Sequence, residues 1–425
     1  MASPRNVVLV TLDALRADHL SSYGYERDTS PFLDTLAEDG VRFSRAFSAS
    51  SHTREAVPAI LTGRYPDEAV DGKFHRDANT VAESLQRSEF ATAGFHSNPF
   101  VSRAYGFNQG FDEFDDDLHL GKNKLLALAQ RALDKLRNRH YARASEINDR
   151  SLAWLDSVDE PFFLWNHYMD PHGPYEPPAE YQREFHGEVV SDSAAQSLYQ
   201  RAIDAPDSIT DEERQRLIDL YDAEIRYTDD QLRAFFDELD QRELLDDTLV
   251  IVTADHGDAF DEHGYYEHPR YLHDELVHVP LVLSGPGLDS ATVDASTSTL
   301  DVARTVLGAA GVSSEGLPGS DLRTIADTPA AYEDRVVFSQ ARGQDEDAHV
   351  RRFSARGRSA TWFGEYDTTA GDLSLSGPGE EDDVAEALRD HIRERIEVGG
   401  GIGTTDEDDA VGDEIEDRLS ALGYK

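Results

Sequence analysis

DDTLVIVTADHG, residues 246–257, is the stretch that decides the fold class. From Thr248 to Ala254 the chain is almost unbroken apolar sequence rich in β-branched residues, and Asp255, His256 and Gly257 end it. Seven residues without a helical period, stopped by turn formers, read as a strand covered on both faces, the usual situation of a parallel strand. NVVLVTL (Asn6–Leu12) has the same character, and an acid, Asp13, follows it directly.

Outward from these two runs, strands and helices alternate. SPFLDTLAEDG (30–40) has helical spacing at Phe32, Leu33 and Leu36, with Ser30 as its cap, Pro31 behind it and Gly40 as its stop. VRFSRAF (41–47) alternates as a single strand, DANTVAESLQRSE (77–89) reads as a helix, and FATAGFHS (90–97) as a strand. A long charged helix is predicted over about 121–158, leading into the strand PFFLWNHY (161–168). Residues 179–208 are polar without strong periodicity and are expected to form an irregular excursion or lid, whereas 210–239 is helical. VPLVLSGPG (279–287) and DRVVFSQ (334–340) supply further strands. The class is α/β: a mostly parallel central sheet with helices on both faces. The expected division is a catalytic α/β domain over 1–333, a small C-terminal α+β subdomain over 334–398, an acidic Gly-rich linker over 399–412 and a closing helix over 413–425.

Charge restricts the partners. The 425 residues hold 84 Asp and Glu against 40 Lys and Arg, a net charge of −44, and only five of the cations are lysines. Such a field repels nucleic acid and anionic membranes, and suits a high-salt cytosol that screens self-repulsion. Without cysteine there is no disulfide or thiolate chemistry. No run approaches the ~20 apolar residues of a membrane span and no signal-peptide pattern is present, so a cytoplasmic protein is expected. Oligomeric state is not legible.

Ligand sites in open α/β sheets lie beyond the C-terminal ends of strands, where Asp13, Asp255 and His256 fall. A lone Asp after a strand is more often a cap or turn residue. Two carboxylates and an imidazole converging would suit a divalent cation such as Mg²⁺, Mn²⁺ or Ca²⁺. SASSHTREAVPAILTGRYP (48–66) crowds hydroxyls ahead of a short helix. A hydroxyl there is ordinarily an N-cap, but it also faces the end of a helix where anions are favoured. Because Pro58 fits only near a first turn, this helix is expected to start shortly after Thr53.

In order along the chain stand VVLVTLDALRADHLSSYGYERDTSPFLDTLAEDGVRFSRAFS, AILTGRYP, NHYMDPHGPYEPP, VIVTADHGDAFDEHG and ELVHVPLVLSGPG. Together these resemble the sulfatase family of the alkaline phosphatase superfamily over about residues 5–319, and the terminal LSALGY is similar to the family's C-terminal end. The resemblance implies that Thr53, nine residues before Thr62, is the nucleophile, and that Asp13, Asp255, His256 and Thr53 hold one divalent metal ion. It implies substrate or leaving-group contacts for His172, a catalytic position for His268 near the family's lysine, and transition-state stabilisation by Arg54. His167 and His263 read equally as structural histidines.

The chain departs from the family at three places. TREAV has threonine where formylglycine sulfatases carry Cys or Ser, lacks the following Pro, and has Val57 in place of Arg. Ala14 replaces a second Asp, and His256 replaces Asn. Formylglycine cannot arise from threonine by the usual route. A sulfated threonine lacks the elimination that clears a formylglycine sulfate, whereas water clears a phosphothreonine. The expected function is therefore a Thr-based, metal-dependent hydrolase of small-molecule or glycan sulfate or phosphate esters, with phosphate favoured. Alternatives are a phosphoryl-alcohol transferase of the same fold and a non-catalytic binder of anionic glycans.

Overall fold

A computed structural model of the protein describes residues 4–71, 73–75, 77–117 and 141–398. The central sheet comprises β1 (Asn6–Leu12), β2 (Val41–Phe43), β3 (Ala91–His96), β4 (Glu113–Asp115), β5 (Phe162–Tyr168), β6 (Thr248–Ala254), β7 (Leu281–Ser284) and β8 (Ala291–Val293). Their spatial order is β8–β2–β7–β6–β1–β5–β3–β4, and only β7 runs against its neighbours. The mostly parallel sheet expected from the two apolar runs is therefore what forms.

Helices sandwich it: α1 (Pro31–Asp39), α2 (Thr53–Thr62), α3 (Ala144–Leu155), α4 (Ala179–Phe185), α5 (Asp192–Asp204), α6 (Asp211–Gln241) and α7 (Leu300–Ala309). Side chains alternate across a strand, so β1 feeds two cores. Val8, Val10 and Leu12 pack with Leu220, Tyr221 and Phe235 of α6, while Val7 and Leu9 pack with Val57, Ile60 and Leu61 of α2 and Val302 of α7. Every β1 residue is buried, and each Val or Leu so placed stabilises the fold by about 1.5–3 kcal/mol.

Beyond the sheet, β9 (Val337–Arg342), β10 (Val350–Arg356), β11 (Thr361–Asp367) and β12 (Leu373–Ser376) form an antiparallel sheet covered by α8 (Asp383–Val398). It is bonded to the segment before α2: Gln340 N donates to Ala49 O at 2.8 Å and Ser339 Oγ to Ser48 O at 2.6 Å. The linker, the terminal helix and the LSALGY segment expected beyond 398, and 121–140 of the long helix expected over 121–158, lie outside the described residues; of the rest only Ala144–Leu155 is helical, since 141–143 are extended or bent and the helix stops before Asp156.

Four local expectations are corrected. Residues 179–208 are not irregular: α4 and α5 lie there, and α5 buries Ala195, Tyr199 and Ala202, a helical stripe hidden by its small residues. VRFSRAF is two strands, since the chain breaks at Ser44, whose backbone N–H bonds Val293 O, and Ala46–Phe47 joins a different three-stranded sheet. Ser30 makes no capping bond; the Asp229 carboxylate of α6 instead accepts from Phe32 N and Leu33 N, both at 2.8 Å. Finally, α2 begins at Thr53 itself, leaving Pro58 inside the helix, where it offers no N–H to the Arg54 carbonyl.

Candidate active site

β1 and β6 are parallel neighbours in register, Leu12 beside Ala254, so the residues that follow them, Asp13 and Asp255, emerge side by side. Both are fully buried. Asp13 Oδ2 accepts from Asn98 Nδ2 at 2.6 Å and from His167 Nε2 at 3.2 Å. Asp255 Oδ1 accepts from the backbone N–H of Ala14 at 3.2 Å and of His256 at 2.9 Å. Each carboxylate thus has one tethered oxygen, and the other, Asp13 Oδ1 or Asp255 Oδ2, has no hydrogen-bond partner among the described residues. Ala14 holds φ at 58°, a left-handed conformation costly for alanine. Tyr221 of α6 clamps that turn, donating to Ala14 O at 2.7 Å and accepting from Arg16 N at 2.9 Å.

His256 closes the group. Its Nδ1 lies 3.1 Å from Gly257 O; a carbonyl only accepts, so Nδ1 carries the proton and the Nε2 lone pair faces inward. That Nε2 is 3.0 Å from Thr53 Oγ1 and 3.6 Å from both Asp13 Oδ1 and Asp255 Oδ2. The cap of α2 is His52, whose Nδ1 accepts from Arg54 N at 3.3 Å. The buried Thr53 hydroxyl therefore has no capping duty and points at His256.

Two unpartnered, buried carboxylate oxygens, an imidazole lone pair and a hydroxyl at one point make a fitting donor set for a hard or borderline divalent cation. The electrostatics agree. Burial and the Asp13 charge push the Asp255 carboxyl up; Asp13, although burial works against it, is held down by His172, His167 and His256. Like charges facing each other away from water call for a compensating cation.

His167 serves from behind: Trp165 Nε1 donates to Thr11 Oγ1 at 3.0 Å, Thr11 lies 2.9 Å from His167 Nδ1, and His167 Nε2 reaches Asp13. It orients Asp13. His263 is elsewhere, half-exposed and 3.0 Å from Glu275. His172 and His268 both arrive at the site, with ring centroids 4.9 Å apart and His268 4.3 Å from His256. His268 Nδ1 binds Asp258 Oδ1 at 2.7 Å, and Tyr175 donates to Asp258 Oδ2 at 2.8 Å. Burial and His256 lower the His268 pKa to about 4 despite Asp258. For His172 burial is outweighed by Asp13 and Asp258, and its pKa rises. Arg54 stacks its guanidinium 4.2 Å from the centre of the Tyr105 ring, beside the nucleophile helix.

The turn bearing His172 is braced twice. A Cβ on Gly173 would stand 2.2 Å from Cζ of Tyr199, so α5 presses directly on it. Behind it, Arg143 pairs with the buried Asp170 and, at 2.6 Å, with Glu224. Burial raises the Glu224 carboxyl to about 7 even against the Arg143 charge. Arg143→Met leaves two facing buried carboxylates and is expected to lower stability by about 3–5 kcal/mol; a urea-unfolding loss below about 1 kcal/mol would contradict this role.

Asn98, Asp258, Tyr175 and Tyr221 escaped the reading of the sequence. Asp258 stands three residues after Asp255, so its signal was present; Asn98 had only its place just past β3.

A family model described as Sulfatase matches residues 5–312. The chain is 24% identical to the uncharacterized sulfatase YidJ of Escherichia coli over 363 residues, covering 75% of this chain and 71% of that one. In fold it is similar to a phosphonate monoester hydrolase of Agrobacterium radiobacter (TM-score 0.71, 19% identity, 93% and 95% of the two chains). It is also similar to a protein solved in complex with its substrate D-glucosamine-2-N,6-O-disulfate (TM-score 0.70, 16% identity, 99% and 98%).

Proposed function

We propose that this chain, which belongs to the sulfatase family, is a metal-dependent hydrolase of sulfate or phosphate esters that uses Thr53 as its nucleophile and prefers phosphorus to sulfur. One observation carries the reading: the Thr53 hydroxyl, released from capping by His52, sits 3.0 Å from His256 Nε2 at the point where the two unpartnered carboxylate oxygens converge.

Asp13, Asp255, His256 and Thr53 would hold the ion. When bound, a divalent cation supplies charge neutralisation for the ester oxygens and lowers the pKa of a bound hydroxyl. The chain supplies the rest. The Thr53 side chain, fixed at the first turn of α2, is aimed at the substrate's phosphorus or sulfur, and the N–H groups of that turn favour its negative oxygens. His172, whose pKa is raised, is the group suited to protonate the departing alkoxide; His268, kept neutral, lies beside it on Asp258. Arg54 adds positive charge at the same helix end. Thr53 gives its proton to solvent as the hydroxyl ionises. The ester bond breaks as Thr53 Oγ1 bonds to the central atom and His172 protonates the departing alkoxide. Water, giving a proton to the now neutral His172, then releases the anion from threonine.

Phosphorus is favoured because a substituted threonine has no second hydroxyl through which to eliminate, so water must attack the central atom. The acidic surface fits work in a high-salt cytosol, and the substrate class is a small-molecule or glycan ester. The test compares p-nitrophenyl phosphate, bis-p-nitrophenyl phosphate and p-nitrophenyl sulfate in molar KCl with Mn²⁺, Mg²⁺ or Ca²⁺. The better phosphate is expected to exceed the sulfate in kcat/KM by about tenfold or more, some 1.4 kcal/mol. A sulfate preference of that size would reverse the assignment of the central atom.

A further inference from the structure

Beside the nucleophile helix lies a group of arginines that the chemistry above does not use. Glu55, two residues beyond Thr53, receives Arg270 Nη1 at 2.6 Å, while Arg342 Nε stands 3.9 Å from the same oxygen. The other Glu55 oxygen accepts from Ser50 Oγ at 3.0 Å. Arg342 is held mainly by Asp71, at 2.8 Å, and by Val70 O, at 2.6 Å. Arg351 is directly opposite Arg342 in the antiparallel β9–β10 pair, so both side chains leave the same face of that sheet.

Like charges placed directly opposite one another across a strand pair destabilise it. Here Arg342 is compensated, whereas Arg351, half-buried, has neither a hydrogen bond nor an ion pair among the described residues. Asp67 stands 3.8 Å from Arg395, which pairs more closely, at 3.1 Å, with Glu68. Three guanidinium groups therefore share Glu55, Asp67 and Asp71, and Asp67 is also drawn to Arg395. Arg351 thus feels Glu55, Asp67 and Asp71 only at a distance and makes no direct bond to any of them. Burial and the facing Arg342 charge lower the Arg351 pKa against the pull of Glu55, Asp67 and Asp71.

We propose that Arg351, with Arg342 and Arg270, forms a subsite for a second anionic group on the substrate, a carboxylate or a sulfo or phospho group carried by the alcohol portion of the ester. The substrate is then a polyanion and not a simple monoester. This assignment rests on the ester-hydrolase reading for the position of the first anion. Arg270, two residues past His268, pairs with Glu55 of the nucleophile helix. Arg342 and Arg351 reach it from the C-terminal sheet, which gives that sheet a part in choosing substrates. Planar forks of this kind match carboxylate and sulfate oxygens in pairs.

Equilibrium binding tests it without turnover. In excess MnCl₂, isothermal titration compares 4-carboxyphenylphosphonate and 4′-carboxybiphenyl-4-phosphonate, each with its carboxamide counterpart, to sample two anion spacings. Wild type is expected to bind at least one acid about tenfold or more tighter than its amide, the worth of one charge-assisted pair. Arg351→Gln should reduce that ratio to within about threefold, Arg351→Lys should restore part of it, and Arg358→Gln, an exposed arginine paired with Glu333, should leave it in place. Sulfonates replacing the carboxylates distinguish the two sources of charge. Equal binding of acid and amide by wild type, binding of neither, or a preference that survives Arg351→Gln overturns the subsite. A protein that shows the preference but hydrolyses none of the esters named above would refute the hydrolase reading and leave the subsite standing.

Discussion

Thr53→Ala is expected to lower kcat by about 10⁴-fold or more on whichever ester proves best, the scale seen when a covalent nucleophile is removed. The fold should survive, because the lost methyl and hydroxyl are small and the α2 cap belongs to His52. The divalent ion should still bind, since both carboxylates and His256 remain. Loss of turnover with retained metal and an unchanged unfolding midpoint would therefore identify Thr53 as the attacking group. Thr53→Ser, which keeps the hydroxyl, should retain measurable activity. Turnover undiminished in the alanine variant would move the nucleophile elsewhere, and neighbouring Ser51, whose buried Oγ lacks a partner among the described residues, would be the next position to change.

The second large effect concerns the cation. Chelation is expected to abolish activity by about 10³-fold or more, because several kcal/mol of charge stabilisation at the reacting centre is lost. It should also lower the melting temperature, since an ion that binds only the folded state stabilises it, by about 2.7 kcal/mol at a hundredfold excess over Kd. Asp255→Asn separates the two contributions. The amide can still accept from Ala14 N, but one of two facing buried charges is gone. The ion-free variant should then be at least as stable as ion-free wild type, while Mn²⁺ no longer raises its melting temperature and bound metal falls below one per chain by elemental analysis. A variant that kept its metal and its thermal gain would remove Asp255 from the ligand set.

The parts of this site that could be read in advance are those that strands deliver. Asp13, Asp255 and His256 follow long apolar runs whose length and β-branched content identify buried parallel strands, and the sites of such sheets lie just past their ends. Thr53, His172 and His268 came from ordered motifs and not from local physics; as isolated residues a threonine at a helix start and two histidines in loops carry little information. Asn98 and Tyr221 were illegible for a different reason. They meet Asp13 and Ala14 through contacts spanning 85 and 207 residues, and no periodicity encodes such a meeting. The fold was misread where packing overrode a local rule. Asp229 caps α1 in place of Ser30, and α5 buries a stripe too small-sided to register as hydrophobic.

The position of β1 bears on how the molecule is made. β1 is made well before the strands on either side of it, β5 and β6, which begin at residues 162 and 248. At translation speeds of about 5–20 residues per second, a largely apolar segment waits many seconds on the ribosome before both sides are covered. Its long-range pairing also places the protein among the slower folders. The heavy negative charge then acts on nascent chains as well as finished ones, keeping neighbouring ribosomes' products apart while the strand that will carry Asp13 is still bare.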